Sequence, residues 1–477
     1  MIEKRQFYIN GTWVDPIAGK DCDVIDPSTE EAIAVISLGG QADTDAAVAA
    51  AKTALPGWRS LTHEARIDYV KRILEVYTER QHDMAKAMSL EMGAPIEFSL
   101  AEQVDSGDWH IRGFLGAVKD FEWEHSLNGQ RGTRIIKDPI GVVGMITPWN
   151  WPMNQVTLKA IPAIMAGCTM VLKPSEEAPL SSMLFAEIVD AAGVPAGVFN
   201  LVNGDGVGVG TQLSTHNDVD MISFTGSTRA GIAISKAAAD TLKRVSLELG
   251  GKGANIVFAD ADEDAVQRGA RQVFENTGQS CNSPTRMLVQ RSRYDQAIEQ
   301  AAEVARNTHV GPAAEKGSHI GPLVNETQFN KVQGLIQKGI DEGARLVEGG
   351  VGRPDGMNRG YFARPTVFAD VTPDMTIMRE EIFGPVLSIM PFDDADDALA
   401  IANDTEYGLT NYVQSTDPAK LERFARELHS GMVQMNGKGR GKGAPFGGVG
   451  QSGNGREGGV WGLEEFVEIK SVGGWPD

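Results

Sequence analysis

The chain holds three cysteines, Cys22, Cys168 and Cys281, and the last stands in NTGQSCNSP (276–284), between a glycine turn and a proline. A structural cysteine favours an apolar wall, whereas a working thiolate needs access and polar neighbours. A free thiol titrates near about 8.5, so a nucleophilic Cys281 needs activation. Histidine is the usual partner. His63, His82, His110, His125, His216, His309, His319 and His429 all lie outside the glycine-rich and proline-rich motifs, which weakens a papain-like pairing. A carboxylate is the other option. LELGGKG sets Glu248 at the end of an apolar run, before paired glycines. Strand ends in α/β sheets are where ligands bind, and a part-buried carboxylate there has a raised pKa suited to general-base work. TPWNWP brackets Asn150 between two prolines, and a rigidly held amide can stabilise an oxyanion.

A second group of residues suits a nucleotide. FTGSTRAG places Gly226, Ser227 and Thr228 at a turn opening a helix, the geometry of a phosphate site. KPSE follows a β-like run directly, and Lys173 and Glu176 can hydrogen-bond ribose hydroxyls. A glutamate there disfavours a 2′-phosphate. NGDGVGVG (203–210) only mimics GxGxxG and reads better as a tight turn. Each feature alone also has a plainer reading: an inert small thiol, a salt-bridged glutamate, an aromatic turn, a solvated loop. HExxH, CxxC and clustered histidines are all missing from the sequence, so no metal site is expected.

The elements that must position these residues follow an α/β rhythm. GVVGMIT, TMVLKP, VFNLVNG, VDMISFTG and RVSLELGG read as strands separated by helical stretches, the signature of βαβ units and a parallel sheet. The rhythm resumes in NIVF, RMLVQ, PVLSIMPF, NYVQST and MVQMNG. Two doubly wound lobes in series are expected, with a cleft between them and LELGGKG as the hinge. RGTRIIKDP and EEFVEIKSV look like strands outside both lobes, expected to pair with each other and with another subunit. The 477 residues exceed one core, and 42% hydrophobic with 23% charged residues is a soluble composition. Lys plus Arg number 44 and Asp plus Glu 64, a net charge of −20, which argues against nucleic acid and anionic membranes as partners. The sparse cysteines and the unremarkable start suggest a cytoplasmic protein.

Taken in order, INGTWV, DPSTEE, TPWNWP, KPSEEAP, FTGSTRAG, LELGGKGANIVF, NTGQSC, EEIFGPV, NDTEYGLT and PFGGVGQSGNGREGG closely resemble the aldehyde dehydrogenase superfamily. The resemblance implies NAD(P)-dependent oxidation of an aldehyde to the acid, on a three-part subunit forming a homo-dimer or homo-tetramer. The dinucleotide-binding lobe would span 1–120 and 140–251, the thiol lobe 252–451, and a small β oligomerisation element 121–139 and 452–477. By the same resemblance Cys281 is the nucleophile, Glu248 the base, Asn150 the oxyanion amide, and Lys159 with Glu457 a proton relay. Cofactor contacts are implied at Ile146, Thr147, Pro148, Trp149, Lys173, Ser175, Glu176, Gly206, Phe224, Gly226, Ser227, Leu249, Gly250, Glu381 and Phe383. NAD is the expected cofactor, with NADP possible. Trp151 and Phe446 would wall the aldehyde tunnel.

The chain departs from the family after the nucleophile, with Asn282-Ser283-Pro284-Thr285-Arg286, and in NGKGRGKGAP (436–445). There Lys438, Arg440 and Lys442 alternate with glycine where the family often has apolar residues. An anionic aldehyde, such as a semialdehyde, is the specific substrate alternative that follows from Arg440, against a loop of mobile, solvated charges. A non-catalytic binding or structural protein on this fold is the alternative of another class, disfavoured because Cys281 and Glu248 are both present.

Overall fold

The computed structural model describes residues 1–476. Two seven-stranded sheets dominate it, each with its own core. In the first, the strands run in the order Arg244–Glu248, Met221–Thr225, Val142–Ile146, Thr169–Lys173, Phe199–Leu201, Phe7–Ile9, Thr12–Val14. The first five are parallel, and the N-terminal hairpin adds the last two antiparallel. The runs VVGMI, TMVLK and MISFT are buried at every position, as expected for parallel strands covered by helices on both faces. The chain adds strands to one side of Val142–Ile146, then returns to its other side with Met221–Thr225. The sheet therefore opens a crevice at the carboxyl ends of those two strands.

The second sheet has the order Arg345–Glu348, Thr366–Ala369, Val386–Phe392, Arg286–Gln290, Ala254–Val257, Thr410–Gln414, Met432–Met435. All its pairs are parallel except the first. Successive residues of Arg286–Gln290 face opposite cores: Leu288 joins Ile256 and Phe368, while Met287 and Val289 join Val257 and Ile389. Every strand expected from the two rhythmic stretches is present. Arg345–Glu348 and Thr366–Ala369, and the small sheet of Ile2–Lys4, Glu31–Leu38 and Lys20–Asp26, were not foreseen.

The two sheets are joined by residues 249–253. The connector leaves the carboxyl end of Arg244–Glu248 and enters the amino end of Ala254–Val257. Ala254 pairs with Arg286, so the amino end of Arg286–Gln290 lies beside that entry. The carboxyl edge of one sheet thus meets the amino edge of the other, and the cysteine loop preceding Arg286 falls between them. A fourth sheet lies outside the two large ones. Val467–Gly473 pairs antiparallel with Thr133–Pro139, which pairs with Glu124–Ser126. The two outlying segments do pair with each other. Leu463 and Phe466, just before the last strand, pack into the core of the first lobe.

Candidate active site

The loop of Thr147–Trp151 leaves the strand Val142–Ile146 at its carboxyl end and turns into the helix Pro152–Ala166. Pro152 at the first helical position lacks only an N–H that would be unpaired there anyway. Pro148, Trp149 and Asn150 of this loop line a cavity of about 200 Å³ with Gly226, Ser227, Leu249 and Gly250 from the two neighbouring strand ends. Cys281, Glu381 and Phe383 close it from the second lobe. Ser227 caps the helix Thr228–Ala239, its Oγ accepting the Ala230 N–H at 3.3 Å.

A second cavity, of about 290 Å³, lies on the other side of Cys281. Its walls include Trp109, Trp151, Leu158, Phe446 and Arg440. Cys281 and Gln155 line both cavities, so the sulfur sits where the two meet.

The cysteine loop is held in a costly backbone. Asn276, Thr277 and Gly278 all have left-handed φ, of 50°, 57° and 72°, and the β-branched Thr277 is a clear outlier there. Its neighbours over-determine the conformation. Thr277 Oγ1 donates to the Gly321 carbonyl at 2.9 Å, and Gln279 Oε1 accepts the Val324 N–H at 3.0 Å. The Asn150 carbonyl accepts from Gln103 Nε2 at 3.1 Å and Asn276 Nδ2 at 3.0 Å. Asn150 Nδ2 donates to the Gln279 carbonyl at 2.9 Å, and Trp151 Nε1 to Ser280 Oγ at 2.8 Å. These bonds tie the loop of one lobe to the loop of the other. The amide nitrogen of Asn150 has two hydrogens; one fixes its plane and the other is left to a ligand.

The electrostatics favour protons on both reactive groups. Burial pushes the Cys281 thiol up to about 12, with the charges of Glu381, Glu248 and Glu457 adding to it. Glu248 is buried, and neither carboxylate oxygen has a hydrogen-bond partner among the described residues. Burial, then the charge of Glu457, holds its carboxyl well above the usual range, against Lys159 and Arg456. Lys159 lies buried in the helix Pro152–Ala166 and donates to Glu457 and to Thr225 Oγ1 at 2.7 Å. Phe446 and Glu457 exchange backbone hydrogen bonds of 2.7 Å each, which fixes that carboxylate beside the cavity wall.

The remaining expected contacts sit along the same sheet edge. Ile146 pairs with Lys173, and the Thr147 N–H donates to the Lys173 carbonyl at 3.1 Å. Lys173 Nζ, buried, donates to Glu176 Oε2 at 3.3 Å and to the Pro174 carbonyl at 3.0 Å. Ser175 and Phe224 are buried beside them. Gly206 is exposed at the start of a turn that Asp205 caps, outside both cavities. The three basic residues of NGKGRGKG part company: Arg440 lines the second cavity, while Lys438 and Lys442 are exposed.

Gln155, Gln103, Trp109, His110 and Asn154 were missed. For Gln155 a signal existed, since Trp151, Gln155 and Leu158 recur at helical spacing after a proline start. His110 is neutral, its imidazole pushed down to about 3 by burial and bonded to Asn154 Oδ1 at 2.7 Å. Nothing local marked it. Among the described residues no group of three or more His, Cys, Asp or Glu could hold a metal ion, and no helix is long and apolar enough to cross a membrane.

The residues present fit a dinucleotide on geometric grounds. A strand-end crevice, a capped helix N-terminus and a glycine floor coincide. A Cβ at Gly250 would lie 2.4 Å from Glu381 Oε2, so a side chain there would displace that carboxylate. Glu381 Oε1 accepts the Gly251 N–H at 2.9 Å, which aims the carboxylate across the cavity.

Two doubly wound lobes with a cysteine between their facing edges define an α/β enzyme architecture, and residues 13–472 match the model of the aldehyde dehydrogenase family. The chain belongs to that family. It is 49% identical over its whole length, and 99% of the relative's, to a 3-succinoylsemialdehyde-pyridine dehydrogenase of a Pseudomonas species. Its fold matches the crystal structure of an aldehyde dehydrogenase from Bartonella henselae with a TM-score of 0.99, at 60% identity and full coverage of both chains. Aldehyde dehydrogenase C of Pseudomonas syringae, solved with NAD+ and octanal, matches with a TM-score of 0.97 at 47% identity, covering 99% and 97% of the two chains.

Proposed function

We propose that the protein oxidises an aldehyde to its carboxylic acid with NAD, through a thioester on Cys281. The observation that carries this reading is the position of Cys281, shared by a crevice suited to a dinucleotide and an aromatic-walled cavity suited to an aldehyde. The bound nicotinamide supplies the hydride acceptor. The protein's residues do the rest. Cys281 Sγ attacks the carbonyl carbon while its proton passes to a base, and Glu248 is the unpartnered carboxylate at hand. The second N–H of Asn150 and the backbone N–H of Cys281 hold the developing oxyanion. Glu248 passes the thiol proton on, is a carboxylate again once the acyl group is on sulfur, and then takes a proton from the water that releases the acid. The Lys159–Glu457 pair gives both protons a route away from the site. Glu176 favours NAD over NADP, since a carboxylate beside the ribose repels a 2′-phosphate.

In this reading 1–120 and 140–251 bind the cofactor, 252–451 carries the thiol, and 121–139 with 452–477 joins subunits into a dimer or tetramer. Three free thiols suit a reducing cytoplasm. The test is reduced-nicotinamide absorbance with a panel of aldehydes, run separately with NAD and NADP. Turnover with NAD that disappears in Cys281→Ala supports the reading. No reduction with any aldehyde and either cofactor overturns it.

A further inference from the structure

Arg440 is the one basic side chain in the aldehyde cavity, and its guanidinium is nearly unspent. It lies half-buried with its carbon 4.7 Å from the centre of the Phe446 ring. Among the described residues its only hydrogen bond is a long one, from Nη1 to the Pro445 carbonyl at 3.4 Å, and it makes no ion pair. A guanidinium carries five donors. One that is partly withdrawn from water, laid over an aromatic ring and left with a single long hydrogen bond is poised for an anion it can grip with two parallel bonds.

Two features decide what kind of anion. Trp109, Trp151, Leu158 and Phe446 give the cavity four large apolar or aromatic walls beside the uncharged polar Ser106, Asn154, Gln155 and Asn282, and Arg440 and Cys281 line the same space, which suits a short, largely apolar stem between an anion and an aldehyde. Its acids, Glu102 and Asp105, are exposed at the rim, where water screens them. His110 in the wall stays neutral and adds no charge. Outside, Lys438 and Lys442 are exposed on the same loop, close enough in sequence to draw an anion toward the entrance.

We propose that Arg440 is a specificity-determining residue that receives the carboxylate of an ω-oxo acid, so that the preferred substrates are short aldehydes with an anionic far end. The proposal rests on the aldehyde-oxidising reading. The guanidinium holds the carboxylate at one end of the cavity and the stem delivers the carbonyl to Cys281 at the other. Arg440 takes no part in bond making.

The test pairs succinic semialdehyde with its neutral methyl ester, in the wild type, Arg440→Ala and Arg440→Lys. The expected result is a wild-type preference for the acid, and a fall of about 10- to 100-fold in its kcat/KM on Arg440→Ala, mostly through KM. The methyl ester is expected to change by less than about threefold, and lysine to restore part of the loss. A second measurement needs no turnover. Succinate is expected to slow iodoacetamide alkylation of Cys281 in the cofactor-free protein, read by peptide mass, and butyrate to slow it less. Arg440→Ala is expected to abolish the difference. Equal losses on acid and ester, or equal protection by succinate and butyrate, overturn the proposal while leaving aldehyde oxidation standing. Selective protection without oxidation of any aldehyde supports the anion site and overturns the parent reading instead.

Discussion

At the scale of single residues, Cys281 and Glu248 constrain each other, and the constraint gives opposite signs in two experiments. Glu248 is among the carboxylates that hold the thiol high. Glu248→Gln is therefore expected to move the pH midpoint of Cys281 alkylation downward in the cofactor-free protein. Steady-state oxidation is expected to fall about 10²- to 10⁴-fold, the usual worth of a general base. An unchanged midpoint would show that the two groups do not sense each other. Stability follows the same logic. The folded-state pKa of Glu248 is raised by burial, so the native protein binds this proton more tightly than the unfolded chain does. That contribution is complete below the ordinary carboxylate pKa and is lost as pH rises through the raised value. Glu248→Gln removes the dependence, so its Tm is expected to exceed that of the wild type above the raised pKa and to converge with it in acid. Glu176 offers a separate test: Glu176→Gln is expected to raise kcat/KM for NADP about tenfold, near 1.4 kcal/mol of relieved repulsion, with little change for NAD. These residues were legible because each sits in a short motif whose chemistry is local. Gln103, Trp109, His110 and Asn154 were not, because their place in the site depends on how two helices pack.

At the scale of elements, the cysteine loop depends on its left-handed turn. A Cβ at Gly278 would lie 2.0 Å from the Gly384 carbonyl oxygen, and φ there is +72°. Gly278→Ala must therefore move either the cysteine loop or the Phe383–Gly384 loop facing it. A shift of the order of 1 Å costs about 10² in rate when it misplaces a nucleophile. The expected outcome is that loss in kcat/KM, with a lowered Tm and unchanged far-ultraviolet circular dichroism. Wild-type kinetics would show that the loop has more room than its contacts indicate. The parallel strands were legible because burial on both faces writes them as apolar runs of four or five residues. Arg345–Glu348 was not: its burial pattern runs exposed, exposed, half-buried, half-buried, and it is a strand because Thr366–Ala369 offers it an edge. The small N-terminal sheet was missed for a related reason. Lys20–Asp26 is mostly polar and pairs only once Glu31–Leu38 is in place. In NGKGRGKG the charges were legible but their directions were not. Only the fold shows Arg440 turning inward while its neighbours face water.

At the scale of the whole molecule, the sheet that holds Val467–Gly473 is the part that a single chain leaves unfinished. Thr133–Pro139 is half-buried at every position and buried at none. Val467–Gly473 forms an open edge, and after Val467 its next four residues are exposed, with Ile469 at 73%. An exposed edge with an apolar residue at its centre is a liability that proteins cover or blunt. Here a second copy is the natural cover, in line with the subunit-joining role proposed for this segment. The net charge of −20 opposes such association at long range, so the contact must come from short-range burial and backbone pairing. Two outcomes follow. The wild type is expected to sediment as a dimer or tetramer at micromolar concentration and to hold together better as salt screens the repulsion. Ile469→Lys adds a charge where burial is needed, so it is expected to shift the distribution toward smaller species. Isolated subunits should keep their fold, because Val467 is the one residue of this sheet that joins a large core, and Ile469 belongs to neither. A wild-type monomer under these conditions, or an Ile469→Lys protein that sediments unchanged, would show that the edge faces solvent and that the sheet serves its own chain alone.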